Sequence, residues 1–263
     1  MFVRPDFSPI ALSIGPLSVH WYGIMYLVSF LVGWGLANVR TRLPHIDWSR
    51  EDVGDFLFYV VLGVVLGGRI GYVLLYQPGF YFSHPLHILF VWDGGMSFHG
   101  GMIGVAVASL LFARRKRRNW FDVVDFVAPI VPVGLFLGRI GNFINGELYG
   151  RITHVPWAMI YPKVGPNPRH PSELYEACLE GIFLFTLLWF FSLKPRPRGA
   201  VAGLFLVAYG CVRFFCEFFR EPDPFAGFIA FGWMTLGQVY SLPMIAVGLS
   251  LLAWGYTRRP GVA

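Results

Sequence analysis

The sequence has little charge: only 14% of its 263 residues are Asp, Glu, Lys or Arg, against about 25% in an ordinary soluble domain. Hydrophobic residues make up 56% of the chain and aromatic residues 18%. This balance excludes a disordered chain, which needs low hydrophobicity and high charge. It also argues against a coiled coil, which is rich in Glu, Lys and Ala. The composition indicates a bundle of membrane spans.

Cysteine is scarce, and its count of three is odd. Cys178, Cys211 and Cys216 form no C-x-x-C pair and all fall within apolar stretches. Because this spacing supports neither a disulfide framework nor a zinc site, we expect three small buried hydrophobic side chains. The sequence also lacks a P-loop, an HExxH motif, a serine nucleophile elbow and a metal-ligand cluster. We therefore expect no metal and no cofactor.

Lysine is scarce as well, with 3 Lys against 18 Arg in a chain of net charge +6. A basic chain that binds nucleic acid presents its charge on a polar, accessible face. Here most basic residues lie between apolar stretches, so we expect no nucleic-acid partner. The basic run at 114–118 is interpreted as a topology signal near anionic lipid headgroups.

Seven stretches are apolar over the length that a spanning helix needs, which is about 20 residues. They cover roughly 20–39, 53–76, 94–113, 122–144, 173–193, 200–219 and 234–256. They predict an all-α, polytopic membrane protein whose residues 1–263 form a single integral membrane domain. Pro129 and Pro132 lie within the fourth stretch, which is expected to kink or to stop inside the membrane. The connection at about 145–172 is predicted to form a small extracytoplasmic cap.

Most basic residues follow alternate predicted spans. Thirteen of them fall on one side, namely Arg40, Arg42, Arg50, Arg114, Arg115, Lys116, Arg117, Arg118, Lys194, Arg196, Arg198, Arg258 and Arg259. Five fall on the other side, namely Arg4, Arg151, Lys163, Arg169 and Arg220. The positive-inside rule then predicts a cytoplasmic C-terminus and an N-terminus on the outer face.

Three arginines remain, and each lies inside a predicted span, where a charge is costly and marks a candidate functional site. The first, Arg69, lies beside a stripe formed by Gly63, Gly67 and Gly71, which we expect to allow close helix packing. Two roles stay open for Arg69, a structural ion pair and a contact with substrate. His99 lies near the outer start of the third span. It is either an ordinary hydrogen-bonded histidine or a proton acceptor near neutral pH.

Arg139 and Arg213 lie in more polar surroundings. Arg139 belongs to a glycine-broken segment at the outer end of the fourth span, and Asn142 follows on the same helix face. This pattern favours a site over a loop. Tyr209, Arg213 and Glu217 are spaced by four residues and share one helix face. A substrate role for Arg213 and an internal pair with Glu217 stay open.

Arginine is suited to anions that carry phosphate, because its planar guanidinium binds phosphate in a two-pronged geometry. The residues alone therefore indicate a membrane protein that handles a phospholipid or another amphipathic anion. A lipid or solute transporter is the alternative, although it should show polar residues at the midplane and internal repeats. A seven-span receptor is a third class, but the predicted cytoplasmic loops are short and mostly basic.

Six segments, which together sample nearly the whole chain, resemble the prolipoprotein diacylglyceryl transferase family. They are HWYGIMY (20–26), GGRIGYVLLY (67–76), VWDGGMSFHGG (91–101), GRIGNFINGELYGR (138–151), RHPSELYE (169–176) and GCVRFFCEFFREPD (210–223). One departure is that the connection after Arg151 is shorter than in some members of that family.

The resemblance implies a transferase of the bacterial inner membrane that works on the periplasmic side. Such an enzyme moves the diacylglyceryl group of phosphatidylglycerol onto the lipobox cysteine of a preprolipoprotein. The products are a thioether and glycerol 1-phosphate. Phosphatidylglycerol, the lipobox segment of the signal peptide and membrane lipids are the implied partners.

The resemblance also assigns roles to residues. His99 is the candidate base, and Arg139 and Arg213 would hold the phosphate. The residues implied to bind or line the lipid site are Arg139, Asn142, Glu147, Gly150, Tyr22 and Tyr209. Those expected to support it are Glu217, Gly100 and Arg69.

Overall fold

The computed structural model describes residues 2–15, 17–91, 94–222 and 227–257, and most of these are helical. The described α-helices are α1 (Trp21–Arg40), α2 (Arg50–Leu75), α3 (Pro78–Ser83), α4 (Phe98–Arg115), α5 (Trp120–Val127), α6 (Val131–Asn145), α7 (Ser172–Glu176), α8 (Leu184–Phe191), α9 (Ala200–Cys216) and α10 (Leu236–Thr257). A 3-10 turn covers Pro85–Leu89, and a π-helical segment, Ala177–Phe183, joins α7 to α8.

The described β-strands are short. They are β1 (Phe2–Val3), β2 (Ile10–Ile14), β3 (Leu17–His20), β4 (Met159–Ile160), β5 (Pro168–Arg169), β6 (Phe228–Ala230) and β7 (Met234–Thr235). They form one sheet of order β1-β4-β5 and two hairpins, β2-β3 and β6-β7.

Each predicted span coincides with a helix or with a run of consecutive helices. Four described helical stretches are long and apolar enough to cross a membrane, namely Trp21–Arg40, Arg50–Leu75, Ser172–Phe191 and Leu236–Thr257. The pair α5 and α6 adds a fifth if it is one span, bent by 48°. The chain is therefore a multi-pass membrane protein. The prediction that the prolines interrupt the fourth stretch is confirmed, because α5 ends before Pro129 and α6 begins with Pro132 in its first turn, where proline is tolerated.

The chain divides into two compact units, Met1–Ala37 with Asp125–Ala263 and Asn38–Val124. In the second unit, α2 and α4 pack closely along their glycines. A Cβ atom on Gly67 would lie 2.4 Å from the carbonyl oxygen of Gly100, and one on Gly63 would lie 2.6 Å from that of Gly104. The predicted packing role of this glycine stripe is confirmed.

The basic run 114–118, at the end of α4 in the second unit, is partly neutralised. Lys116 Nζ lies 2.9 Å from a carboxylate oxygen of Asp52 and 2.6 Å from one of Asp55. Hydrogen bonds to Asp55 and Asp52 raise the pKa of Lys116 to about 12. Arg118 also pairs with Asp52, at 3.0 Å. The predicted basic tail residues Arg258 and Arg259 lie outside the described residues.

In the first unit, α6 packs against the π-helical segment and α9 packs against α10. A Cβ on Gly181 would lie 2.6 Å from the Cβ of Phe136, which shows how closely the π-helical segment approaches α6. The carboxylate of Asp125 accepts hydrogen bonds from the backbone amides of Gly199 (2.6 Å) and Ala202 (2.8 Å). These bonds satisfy free amides at the start of α9 and fix where that helix begins.

The expectation of three buried cysteines is wrong for two of them. Cys216 is buried, whereas Cys178 and Cys211 are exposed. In a membrane protein an apolar stretch need not face a protein core, because lipid tails are as apolar as leucine. The apolar neighbours of a cysteine therefore do not reveal which way it faces.

Candidate active site

Arg139 and Arg213 lie on two helices of the first unit and share two glutamates. Nε of Arg139 is 2.9 Å from Glu176, and its Nη2 is 3.0 Å from Glu180. Nη1 of Arg213 is 2.7 Å from Glu176 and 3.4 Å from Glu180. Arg213 also pairs with Glu217, one turn further along the chain. The two candidate arginines are therefore parts of one assembly.

Arg220 extends the same assembly. Its Nη1 lies 3.4 Å from Glu176 and its Nε 3.9 Å from Glu217. We call Arg139, Glu176, Glu180, Arg213, Glu217 and Arg220 the ion cluster. It combines three guanidinium groups with three carboxylates, and charges buried in this way are tolerated when they are paired and hydrogen-bonded.

Within the ion cluster, the carboxylates lie deeper than the arginines. The side chains of Glu176 and Glu180 are 0% exposed, whereas those of Arg139 and Arg213 each keep 15% of their surface. In the described part of the chain, Nη1 of Arg139 and Nε of Arg213 donate no hydrogen bond. A guanidinium has five N–H donors, so each arginine retains donors for an incoming anion.

The local structure explains how the ion cluster forms. Glu176 ends α7, and Glu180 lies in the π-helical segment, a kind of turn that is often found at functional sites. Glu217 follows the end of α9, where the hydroxyl of Thr235 donates to it at 2.6 Å. With α6, which carries Arg139, four helical elements and the β6-β7 hairpin thus position the charged groups.

Tyr22 and Asn142 lie together at α6. The amide nitrogen of Asn142 donates to the hydroxyl of Tyr22 at 3.1 Å, and Asn142 is 4% exposed. Gly141 makes room for the tyrosine, because a Cβ there would lie 3.1 Å from the Tyr22 ring. The structure thus brings together two residues that are 120 positions apart in the sequence.

Glu147 and Gly150 occupy the segment that follows α6. The side chain of Glu147 is exposed, and it accepts a hydrogen bond from Asn145 at 3.3 Å. Gly150 is buried, and a Cβ on it would lie 2.5 Å from the carbonyl oxygen of His170 and 2.6 Å from that of Phe219. Only glycine fits this point of close backbone approach.

Tyr209 lies on α9, one turn before Arg213. Its ring stacks on Phe205 with centroids 5.7 Å apart, and it is close enough to Glu180, Arg213 and Arg139 to interact with them electrostatically. Tyr209, Arg213 and Glu217 were predicted to share one face of α9. Two of them, Arg213 and Glu217, belong to the ion cluster, and Tyr209 lies near it.

Arg69 lies in the second unit and is bound by backbone rather than by a carboxylate. Its guanidinium donates to five carbonyl oxygens, those of His87, Ile88, Phe90, Gly94 and Gly95. It is only 4% exposed. Arg69 thus fastens the connection that follows α2 to the body of that helix.

His99 and Gly100 also belong to the second unit. His99 is exposed in the first turn of α4, and its ring contacts Phe98 edge to face at 5.7 Å. Gly100 is buried in the helix seam, because a Cβ there would lie 2.3 Å from the carbonyl oxygen of Gly67.

The connection between α6 and α7 contains a second polar group. The hydroxyl of Tyr161 donates to the buried carboxylate of Glu173 at 2.9 Å, and burial, reinforced by that carboxylate, raises the pKa of Tyr161. His170 Nδ1 lies 3.1 Å from the hydroxyl of Tyr175, and burial lowers the pKa of His170. Among the described residues, no group of three His, Cys, Asp or Glu side chains is placed to hold a metal ion.

Sequence reasoning missed Glu176, Glu180 and Arg220. Glu176 and Glu180 lie in a predicted span, where carboxylates are as costly as arginines. Arg139 and Arg213 were selected because they are charged residues inside predicted spans. The same criterion, applied to acidic residues, would have selected Glu176 and Glu180 as well. The sequence placed Arg220 among the five basic residues on the outer side of the membrane but did not predict its burial, at only 8% exposed.

Comparison with known proteins agrees with the motifs. The family model of prolipoprotein diacylglyceryl transferases matches residues 9–254. The phosphatidylglycerol–prolipoprotein diacylglyceryl transferase of Coxiella burnetii is 56% identical over 259 residues, which cover 98% of this chain and 99% of the relative. That of Cupriavidus necator is 54% identical, with 99% and 97% covered, and that of Burkholderia mallei is 52% identical, with 100% and 99% covered. The chain belongs to the prolipoprotein diacylglyceryl transferase family.

Proposed function

We propose that this chain transfers the diacylglyceryl group of phosphatidylglycerol to the lipobox cysteine of preprolipoproteins. The observation that carries the proposal is the ion cluster, in which Arg139 and Arg213 pair with fully buried carboxylates and still keep free N–H donors. The names of the full-length relatives supply the lipid and the protein substrate. The reaction is the first step of bacterial lipoprotein maturation.

The chemistry needs no nucleophile from the enzyme. The sulfur of the lipobox cysteine attacks the glycerol carbon of the diacylglyceryl group, and a C–S bond forms as the C–O bond to phosphate breaks. The electron pair of the broken bond leaves with glycerol 1-phosphate. The thiol proton passes to a base, because the thiolate is the reactive form of cysteine. We assign this role to His99, which is exposed at the start of α4.

Arg139 and Arg213 are proposed to bind the phosphate. Their free N–H donors match phosphate oxygens, and they stabilise the negative charge that develops on the leaving group. Glu176 and Glu180 pair with both guanidinium groups and so fix their positions, and Glu217 pairs with Arg213.

The remaining site residues of the first unit are proposed to shape the lipid site around this centre. Asn142 and Tyr22 orient each other through their hydrogen bond, and Tyr209 lines the ion cluster. Glu147 and Gly150 form the segment after α6. Gly100 and Arg69 are proposed to support the site indirectly, through the structure of the second unit. Gly100 allows α2 and α4 to pack closely, and Arg69 binds the connection that follows α2.

We further propose a topology of seven spans in one membrane domain, 1–263, in the bacterial inner membrane. The N-terminus and a cap at about 145–172 lie on the periplasmic side, and the C-terminus lies in the cytoplasm. The support is the excess of basic residues in alternate connections. The test uses intact spheroplasts of a strain whose protein lacks its native cysteines. An impermeant maleimide should label Lys163→Cys but not Lys194→Cys. Labelling of Lys194→Cys alone would show the opposite orientation.

The test of the function is a transfer assay with the purified protein. It uses vesicles of labelled phosphatidylglycerol and a lipobox peptide, with a Cys→Ser peptide and phosphatidylethanolamine vesicles as controls. We expect one thioether-linked diacylglyceryl peptide for each glycerol 1-phosphate released, and neither product in the two controls. Movement of lipid between the leaflets without any peptide product would favour the transporter instead.

A further inference from the structure

Arg4 is a buried charge in an exposed segment of chain. Its neighbours Phe2 and Val3 are each 59% exposed, whereas Arg4 is 1% exposed. Burying a guanidinium is costly unless its donors are satisfied. The contacts of the Arg4 guanidinium therefore indicate its structural role.

The guanidinium of Arg4 is bound to the carboxyl end of α6. Its Nη1 donates to the carbonyl oxygen of Phe143 at 3.1 Å and to that of Ile144 at 3.0 Å. Gly146 follows with φ of +74°, and a Cβ on it would lie 2.9 Å from Cζ of Arg4. The guanidinium thus lies directly against the left-handed glycine that ends the helix.

The backbone of Arg4 is fixed as well. β1 pairs in parallel with β4, and the amide of Arg4 donates to the carbonyl oxygen of Ile160 at 2.9 Å. Among the described residues, the carboxylate within 4 Å of its guanidinium nitrogens is that of Asp6, at 3.8 Å, and Asp6 is 64% exposed. The buried carboxylate of Glu173 faces Arg4 from farther away. The helix carbonyls are therefore the close partners of this cation.

From this geometry we propose that Arg4 is a positioning residue for the headgroup site and acts through α6. The carboxyl end of a helix carries partial negative charge, which a cation there neutralises. Ile144 lies five residues after Arg139, or about 8 Å along the axis at 1.5 Å per residue. Arg4 fixes the last turn of the helix that carries Arg139 and Asn142. It also removes negative potential beside an anionic ligand. The inference rests on the proposed role of Arg139.

The test compares Arg4→Gln, Arg4→Lys and Lys163→Gln in the transfer assay, with kcat and KM for phosphatidylglycerol measured separately. Lys163→Gln is the matched control, because Lys163 also pairs with Asp6, at 3.0 Å, but is 56% exposed. We expect Arg4→Gln to lower kcat/KM roughly tenfold, mainly through KM, because a displaced α6 misplaces the headgroup ligands. Arg4→Lys should recover activity to within about threefold of wild type, since a lysine also suits a helix carboxyl end. Lys163→Gln should behave as wild type.

Three results would overturn the inference. They are a wild-type KM for Arg4→Gln, no recovery in a folded Arg4→Lys, and an equal rise of KM in Lys163→Gln. Arg139→Ala, assayed alongside, separates the two proposals. If Arg139→Ala is inactive while Arg4→Gln keeps its KM, only the role of Arg4 is wrong. If Arg139→Ala retains wild-type kinetics, the headgroup assignment fails and the role of Arg4 fails with it.

Discussion

Arg139 and Arg213 combine strong pairing with free donors. Their shared partners Glu176 and Glu180 are fully buried, yet each arginine keeps 15% of its side chain exposed. Arg69, by contrast, uses all five of its donors on backbone carbonyls. This difference distinguishes the proposed phosphate ligands from the third arginine that the sequence placed in a span.

Arg213→Lys should abolish transfer although the charge is kept. An ammonium cannot bind Glu176, Glu217 and a phosphate at once in the planar geometry of a guanidinium. We expect kcat/KM for phosphatidylglycerol to fall by roughly a hundredfold or more. Arg114→Lys, the same change at an exposed residue of α4, is the control and should leave kcat/KM unchanged. Transfer by Arg213→Lys at the wild-type rate would show that charge alone suffices.

His99→Gln should change how the rate depends on pH. An imidazole accepts a proton only in its neutral form, so the wild-type rate should fall as the medium becomes acidic. The variant should be slower, and its rate should lose that acidic fall. His154→Gln, at an exposed histidine, should keep the wild-type profile. An unchanged pH–rate profile in His99→Gln would remove His99 as the base.

At the level of elements, glycines decide where helices approach. The sequence predicted that Gly63, Gly67 and Gly71 form a packing stripe because their spacing places them on one helix face. It did not predict that Gly100 and Gly104 of α4 lie opposite them, since periodicity describes one helix and not its partner. The π-helical segment, which positions Glu180, has no sequence pattern that would have predicted it.

Gly67→Ala should destabilise the α2–α4 pair. Its new methyl group would lie 2.4 Å from the carbonyl oxygen of Gly100, and such overpacking costs about 1–3 kcal/mol. Gly54→Ala in the same helix has open space around it and should be neutral or stabilising, because alanine favours helix over glycine. Thermal unfolding in detergent measures both variants. Equal melting temperatures for the two would contradict close packing at Gly67.

For the whole molecule, the sequence predicted the helices better than the site. The positions of the helices and the break at Pro129 followed from apolar runs and from proline, which are local properties. Arg139 and Arg213 were found because charges are costly in spans. Their shared partners Glu176 and Glu180 depend on how α6, the π-helical segment and α9 pack together. That packing is tertiary, so no local pattern predicted it.

The net charge of the molecule is a property of its composition, whereas the charges of the candidate site depend on tertiary structure. The chain has a net charge of +6, but the ion cluster pairs three arginines with three glutamates and contributes nothing to that excess. The excess lies mainly in the connections between helices, where we propose that it sets the membrane topology. The candidate site is defined by where its charges are buried and not by their sum.

The most direct measurement of the headgroup assignment is the transfer rate of purified Arg139→Ala with labelled phosphatidylglycerol and a lipobox peptide. Arg114→Ala serves as a control for loss of an exposed arginine, and gel filtration with thermal unfolding establishes that both variants are folded. We expect folded Arg139→Ala to lose transfer by roughly a thousandfold, while Arg114→Ala keeps the wild-type rate. Transfer by Arg139→Ala at the wild-type rate would contradict the proposal that the ion cluster binds the phosphate.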